Sequence, residues 1–231
     1  MNENLDDIDN QYHRLLALMP KKIDLDDQDL ELLLGKLIFI KSILSRVETR
    51  RLFKEKHLSE SFSFLLESFA SLVSGEVNGS KLLLRVSIDC MIKFLVVHAS
   101  GKVDEHHFST NLHTYYQSAE YLSLKNSTIC NIDVFLGQLN SAYDHFSVLT
   151  HNINTASADL SSFFSQIFQV NSSAEYLLEF NDIVTNYCSL LLVLSLSSVQ
   201  RWENADRIET LKLAFGNNKV ARLNAIIQSM T

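Results

Sequence analysis

Apolar side chains recur every three to four residues along most of the chain, and a single proline interrupts its 231 residues. This spacing places the apolar residues on one face of a helix, whereas the strict alternation typical of strands is nearly absent. One such stripe comprises Leu30, Leu33, Leu34, Leu37, Ile38, Ile40 and Leu44. We therefore predict an all-α fold, a single-domain bundle of about eight or nine helices.

The predicted domain spans residues 1–231, with residues 1–23 as an acidic N-terminal arm and first helix and residues 24–231 as the bundle. Hydrophobic residues make up 46% of the chain and the net charge is only -7, which excludes a disordered protein. The three cysteines, Cys90, Cys130 and Cys188, are scattered, so neither a disulfide framework nor a thiolate zinc site is indicated. We expect a cytoplasmic protein.

No stretch of the sequence predicts a membrane span, which needs about 20 apolar residues. The apolar segment from Leu82 to Val97 carries three charged side chains, and the segment from Cys188 to Val199 has only 12 residues. Both segments are typical of buried helices, so we expect no contact with a membrane.

Positive charge is concentrated between residues 36 and 57, which hold seven bases and two acids in an otherwise acidic chain. A basic helix of this kind is typical of nucleic-acid binding, to RNA or DNA, but it also fits a solvated helix face that pairs with the acidic arm before it. The bases are Lys36, Lys41, Arg46, Arg50, Arg51, Lys54 and Lys56.

Two predicted helices carry polar stripes with a four-residue spacing. Arg85, Asp89 and Lys93 interrupt a very apolar helix, and a later helix carries Tyr143, Ser147 and His151. A buried charge is costly unless it is paired, so we expect Arg85 to pair with Asp89 along its own helix. We predict a buried polar network of Arg85, Asp89, Tyr143, Ser147 and His151.

An arginine and an acid on one apolar helix, followed by a helix with the pattern Tyr143-x-x-x-Ser147-x-x-x-His151, resembles the HEPN-like helical families of bacterial abortive infection and phage defence. The resemblance covers residues 59–200. It implies an all-α, cytoplasmic protein that is often dimeric. Active members are metal-independent RNases, and degenerate members are binding or regulatory modules.

Active members of these families carry an arginine followed, after four to six residues, by a histidine. In this chain the spacing occurs only from Arg50 or Arg51 to His57, and none occurs around His151. An RNase would use histidine as a base on the ribose 2′-hydroxyl and arginine to stabilise charge on the phosphate. The candidate catalytic pairs are therefore Arg51 with His57, across a dimer seam, or a divergent site of Arg85 with His151.

Because no catalytic pattern is complete, the sequence favours a non-catalytic interaction or regulatory subunit of a bacterial anti-phage defence system. The alternatives are a HEPN-like RNase and a nucleic-acid-binding module that uses residues 36–57. We expect a homodimer or a larger protein complex, no cofactor and no metal, because the histidines lack the spacing of a metal site.

Overall fold

The computed structural model describes residues 14, 17, 27–99, 101–125, 131–152 and 173–229. The described helices are α1 (Asp27–Ser45), α2 (Val47–Arg50), α3 (Lys56–Val73), α4 (Val77–His98), α5 (Phe108–Tyr116), α6 (Ala119–Lys125), α7 (Ile132–Asn152), α8 (Ser173–Leu194), α9 (Leu196–Val199) and α10 (Asn204–Ser229). Two of these ten described helices have only four residues. Within the described ranges there is no strand, and the prediction of an all-α, multi-helix protein is confirmed.

The chain divides into two compact units, residues 1–53 with 184–231 (unit 1) and residues 54–183 (unit 2). Helix α8 begins in unit 2 and ends in unit 1, whereas every other described helix belongs to one unit. The prediction of a single domain over residues 1–231 stays a prediction.

In unit 2, helices α3 and α4 form an antiparallel pair along a seam of buried serines. Ser61 donates to the Ser87 carbonyl and Ser87 to the Ser61 carbonyl, both at 2.8 Å. One end of the seam repeats the pattern, since Ser68 donates to the Ser80 carbonyl at 2.7 Å and the Ser80 hydroxyl lies 2.8 Å from that of Tyr176. These small side chains let the two helices approach closely while every buried hydroxyl keeps a partner.

In unit 1, helix α1 packs against α10 over a short separation. A Cβ atom on Gly35 would lie 2.9 Å from the Leu213 carbonyl oxygen, so only glycine fits at this point of α1. The rings of Phe39 and Phe215 then meet edge to face at 5.6 Å. Immediately afterwards Gly216, with φ of 69°, breaks the helical path of α10, as the sequence predicts for a glycine followed by two asparagines.

A buried arginine fixes the start of α10. Arg207 is 4% exposed, yet its guanidinium donates to the carbonyls of Gln200 and Trp202 at 3.0 and 3.2 Å. It also donates to the side-chain oxygens of Asn204 at 3.0 Å and Asn224 at 2.7 Å. This charge is therefore fully hydrogen-bonded, which is the condition for burying it.

The sequence predicts that the polar stretch 45–49 kinks or divides the basic segment 36–57, which then continues as a helix to Lys56; this continuation is wrong. Helix α1 ends at Ser45, and Arg46 has an extended backbone with φ of -64° and ψ of 141°. Helix α2 ends at Arg50, residues 51–53 form a turn, and Glu55 starts α3 by accepting hydrogen bonds from its first-turn amides. The chain divides within the polar stretch 45–49, as predicted, but it does not continue as a helix to Lys56.

The close approach at Gly35 generates a prediction about stability. Gly35→Ala introduces a contact with backbone, and such overpacking costs about 1–3 kcal/mol, which exceeds the gain of about 0.5–1 kcal/mol from replacing a helical glycine. The free energy of unfolding, measured in urea by circular dichroism, is expected to fall.

The matched control is Gly137→Ala, because Gly137 lies within α7 and a Cβ atom there meets nothing within 4 Å. This variant is expected to be more stable than the wild type by about 0.5–1 kcal/mol. A Gly35→Ala protein as stable as the Gly137→Ala protein would contradict the described packing of α1 on α10.

Candidate functional site

Arg85 joins helix α4 to helix α7 through the two predicted polar stripes. Its Nε donates to the Ser147 hydroxyl at 2.8 Å, and its Nη2 donates to the Tyr143 hydroxyl at 3.1 Å. The Ser147 hydroxyl in turn donates to the Tyr143 carbonyl, one turn earlier on α7, at 2.7 Å. The structure thus brings together Arg85, Tyr143 and Ser147. The Nε and Nη2 donors of the arginine are bonded to hydroxyls of the same protein.

An aromatic side chain covers this arrangement. Phe108, at the start of α5, stacks on the Tyr143 ring with centroids 3.7 Å apart and planes 7° apart. The Arg85 guanidinium carbon lies 4.8 Å from the centroid of the same ring. Tyr143 therefore contacts an aromatic ring and a cation at once, and both contacts stabilise its position.

Asp89 does not pair with Arg85, contrary to the expectation from the sequence. Its Oδ2 lies 3.0 Å from the Lys93 Nζ, one turn further along α4. Lys93 is 8% exposed and also donates to the Glu105 backbone carbonyl at 3.0 Å. Asp89 therefore pairs with Lys93, while Arg85 donates to two hydroxyls of α7.

His57 lies in the first turn of α3 and faces two carboxylates. Its Nδ1 lies 3.2 Å from Glu60, its Nε2 lies 3.7 Å from Glu105, and the side chain is only 12% exposed. Arg51 is exposed in the turn after α2 and belongs to unit 1, whereas His57 belongs to unit 2. Among the described residues no arginine forms an ion pair or hydrogen bond with His57. His151 lies in α7, but its side chain falls outside the described part of the chain.

Several of the clustered bases are engaged by their own chain. Lys36 donates to the Thr185 hydroxyl at 2.7 Å, and Lys56 pairs with Glu60 at 3.1 Å. The Arg46 guanidinium lies 4.2 Å from the Trp202 ring centroid and 3.4 Å from Asp206. The remaining side chains of the set are exposed, namely Lys41, Arg50, Arg51 and Lys54.

One charged pair in unit 2 has no signal in the sequence. The His98 Nδ1, in the last turn of α4, is hydrogen-bonded to Glu120 in α6, and the buried Tyr115 hydroxyl donates to the same carboxylate at 3.1 Å. The hydrogen bond and negative charge of Glu120 raise the pKa of His98 above its usual range, although burial opposes this. The partners are 22 residues apart, so no local spacing predicts the pair.

The two described cysteines are poor nucleophiles. Burial is the main cause that raises the pKa of the Cys90 thiol to about 11, and Asp89 adds to the effect. The Cys188 thiol is fully buried, and its pKa is raised for the same reason. Both thiols are therefore protonated at neutral pH.

Among the residues that the structure describes, no three histidine, cysteine or acidic side chains are grouped to hold a metal ion. One described segment, Tyr176–Leu194, has the length and hydropathy of a membrane span, with 61% of its most apolar window buried inside the protein. Buried core helices of soluble proteins have the same properties, so this segment is weak evidence for a membrane.

No protein-family model, curated protein or solved structure matches this chain. The interpretation of the site therefore depends on its own geometry.

The Arg85 contacts predict a measurable coupling between α4 and α7. Arg85→Ala leaves two hydroxyls without their donor and is expected to lower the free energy of unfolding by about 1–3 kcal/mol. In a double-mutant cycle with Tyr143→Phe, which keeps the ring on Phe108, the coupling energy is expected to be about 0.5–1.5 kcal/mol. Arg50→Ala, at an exposed position, is the control, with an expected change within about 0.5 kcal/mol. Equal effects of the two alanine variants would contradict the structural role of Arg85.

The His98–Glu120 pair predicts a pH dependence of stability. A histidine whose pKa is raised in the folded state stabilises the protein fully below its unfolded pKa of about 6.5, and this contribution is lost as the pH rises through the folded value. The free energy of unfolding, measured in urea from pH 5.5 to 9, is expected to fall above pH 6.5 more steeply for the wild type than for His98→Gln. Parallel curves for the two proteins would show that the pair contributes no such stability.

Proposed function

We propose that the chain is a non-catalytic helical interaction subunit that acts by binding a protein partner. The observation that carries this proposal is the engagement of Arg85, whose Nε and Nη2 both donate to hydroxyls of α7 at hydrogen-bond distance. An arginine that stabilises a phosphate in a transition state has to present its donors to the substrate. Here those donors hold two helices together.

The surroundings of His57 support the same proposal. A general base for a ribose hydroxyl has to lie beside a phosphodiester, which carries negative charge. The two ring nitrogens of His57 instead lie 3.2 Å from Glu60 and 3.7 Å from Glu105. These carboxylates repel a phosphate backbone. Arg51 is exposed and forms no ion pair with Glu60 or Glu105, so it does not offset their negative charge.

Exposed apolar side chains supply surface for a protein partner. In unit 2, Leu178 is 65% exposed, Leu122 55% and Val134 48%. Exposed apolar groups of this size are typical features of protein-binding surfaces when they are contiguous. The assignment to a bacterial anti-phage system, in the cytoplasm, is part of the proposal and depends on the resemblance of the Arg85 and Tyr143–His151 segments to the HEPN-like families.

The proposal is tested by incubating the purified protein with a fluorescent single-stranded RNA, with and without EDTA, and recording its mass in solution. Because Arg85 and His57 contact side chains of their own chain, we expect no cleavage above the buffer control for the wild type, His57→Ala or His151→Ala.

The matched control is His106→Ala, since His106 is exposed and lies outside both candidate pairs. Cleavage that is retained in His106→Ala but lost in His57→Ala or His151→Ala would overturn the proposal and establish the RNase alternative. If RNA is bound without cleavage and the binding weakens steeply with salt, the nucleic-acid-binding alternative replaces it.

A further inference from the structure

Unit 1 contains an open groove between helices α1 and α10. Its volume is about 490 Å³, within the range of about 300–1,000 Å³ typical of binding clefts. Its lining includes Glu31, Leu32, Gly35, Glu209, Lys212 and Gly216. We call this the α1–α10 groove. Leu32 is 50% exposed there, and the position of a Cβ atom on Gly216 is open space, so the groove combines an apolar wall with room for side chains.

The α1–α10 groove attracts positive charge. Glu31 and Glu209 contribute two carboxylates, and Lys212 contributes one ammonium group. An occupant with apolar and basic side chains is therefore complementary to this groove.

The same unit presents a segment with that chemistry. Val47 is 78% exposed and Leu52 36% exposed, and the side chains of Arg50 and Arg51 between them are also exposed. We call residues 47–52 the basic corner. Glu48 adds one acid to it, but among the described residues neither Arg50 nor Arg51 forms an ion pair or a side-chain hydrogen bond.

Buried contacts of Thr49 fix the backbone of the basic corner. Thr49 is fully buried, and its hydroxyl donates to the carbonyls of Ile43 and Arg46. The Arg46 guanidinium, just before the corner, lies 4.2 Å from the centroid of the Trp202 ring. A preorganised segment loses less conformational entropy when it binds than a mobile one.

A chain cannot dock its own corner in its own groove. Helix α1 runs from the groove to the corner, and the 15 residues from Leu32 to Val47 separate the two surfaces by roughly 20 Å at a rise of about 1.5 Å per residue. Both surfaces are fixed to that helix. The occupant has to come from another molecule.

We propose that the occupant is a second copy of this chain, whose basic corner docks in the α1–α10 groove. The contact places Arg50 and Arg51 of one copy near Glu31 and Glu209 of the other, and it covers the exposed Val47, Leu52 and Leu32. Each copy offers one corner and one groove, which permits reciprocal docking about a two-fold axis or a head-to-tail series. This inference rests on the proposed function as an interaction subunit and names one partner for it.

The test is a set of charge reversals read by sedimentation velocity over a range of protein concentrations. The wild type is expected to associate reversibly beyond its 26.3 kDa monomer, and added salt is expected to weaken the association. The groove variant Glu31→Lys/Glu209→Lys and the corner variant Arg50→Glu/Arg51→Glu are each expected to raise the dissociation constant about tenfold or more. The variant with all four substitutions restores the charge complementarity and is expected to associate again.

Mixing the groove variant with the corner variant supplies a second readout, because their opposed charges are expected to give a mixed complex that neither forms alone. A wild type that stays monomeric at all concentrations overturns the inference. Association that neither charge reversal changes also overturns it. A fourfold variant that stays monomeric, although its unfolding curve matches that of the wild type, overturns it as well. The salt dependence of the wild type provides the test if a variant fails to fold. A monomer that does not cleave RNA removes only this inference and leaves the proposed function in place.

Discussion

Enclosing a polar group in a bundle of apolar helices is costly unless that group has a partner, and this constraint organises the buried networks of the described structure. Serines make the seam between α3 and α4, where the hydroxyls of Ser61, Ser68 and Ser87 each donate to a carbonyl of the other helix. In unit 1 the guanidinium of Arg207 satisfies the same constraint with four hydrogen bonds, and these bonds fix the start of α10. Such polar groups select one arrangement of two packed helices, because their hydrogen bond forms in one register of the helices and is lost in others.

The same constraint decides between the functional interpretations of the polar stripes. Arg85 and Lys93 lie on the mostly buried helix α4, and both find partners within unit 2: hydroxyls of α7 for Arg85, and Asp89 with the Glu105 carbonyl for Lys93. A catalytic group has to stay available to a substrate, whereas these donors are already engaged. The pattern that resembles a family of RNases therefore has, in this chain, the geometry of a structural network. The exposed apolar and charged side chains are the surfaces on which the proposed function depends.

Local spacing predicts the elements but not their pairing. The stripes of α4 and α7 follow from three-to-four-residue periodicity, yet the Arg85 contacts join residues 58 and 62 positions apart. Asp89 has a base one turn away on either side, and local spacing does not distinguish them; in the folded chain it pairs with Lys93. Residues 36–57 do not form one helix because Arg46 has an extended backbone. The Arg46 side chain stacks on the Trp202 ring. That contact and the His98–Glu120 pair arise from tertiary structure alone.

We propose that the Arg85 guanidinium serves the fold rather than a substrate. The most direct measurement is the side-chain Nε–H signal of Arg85 in a 15N NMR spectrum, assigned by its loss in Arg85→Lys and followed while single-stranded RNA is added. We predict that this hydrogen exchanges slowly with water, because it is bonded to the Ser147 hydroxyl. We also predict that the signal does not change when RNA is added. If the hydrogen exchanges rapidly and its signal shifts as RNA is added, Arg85 is available to RNA and its proposed structural role is contradicted.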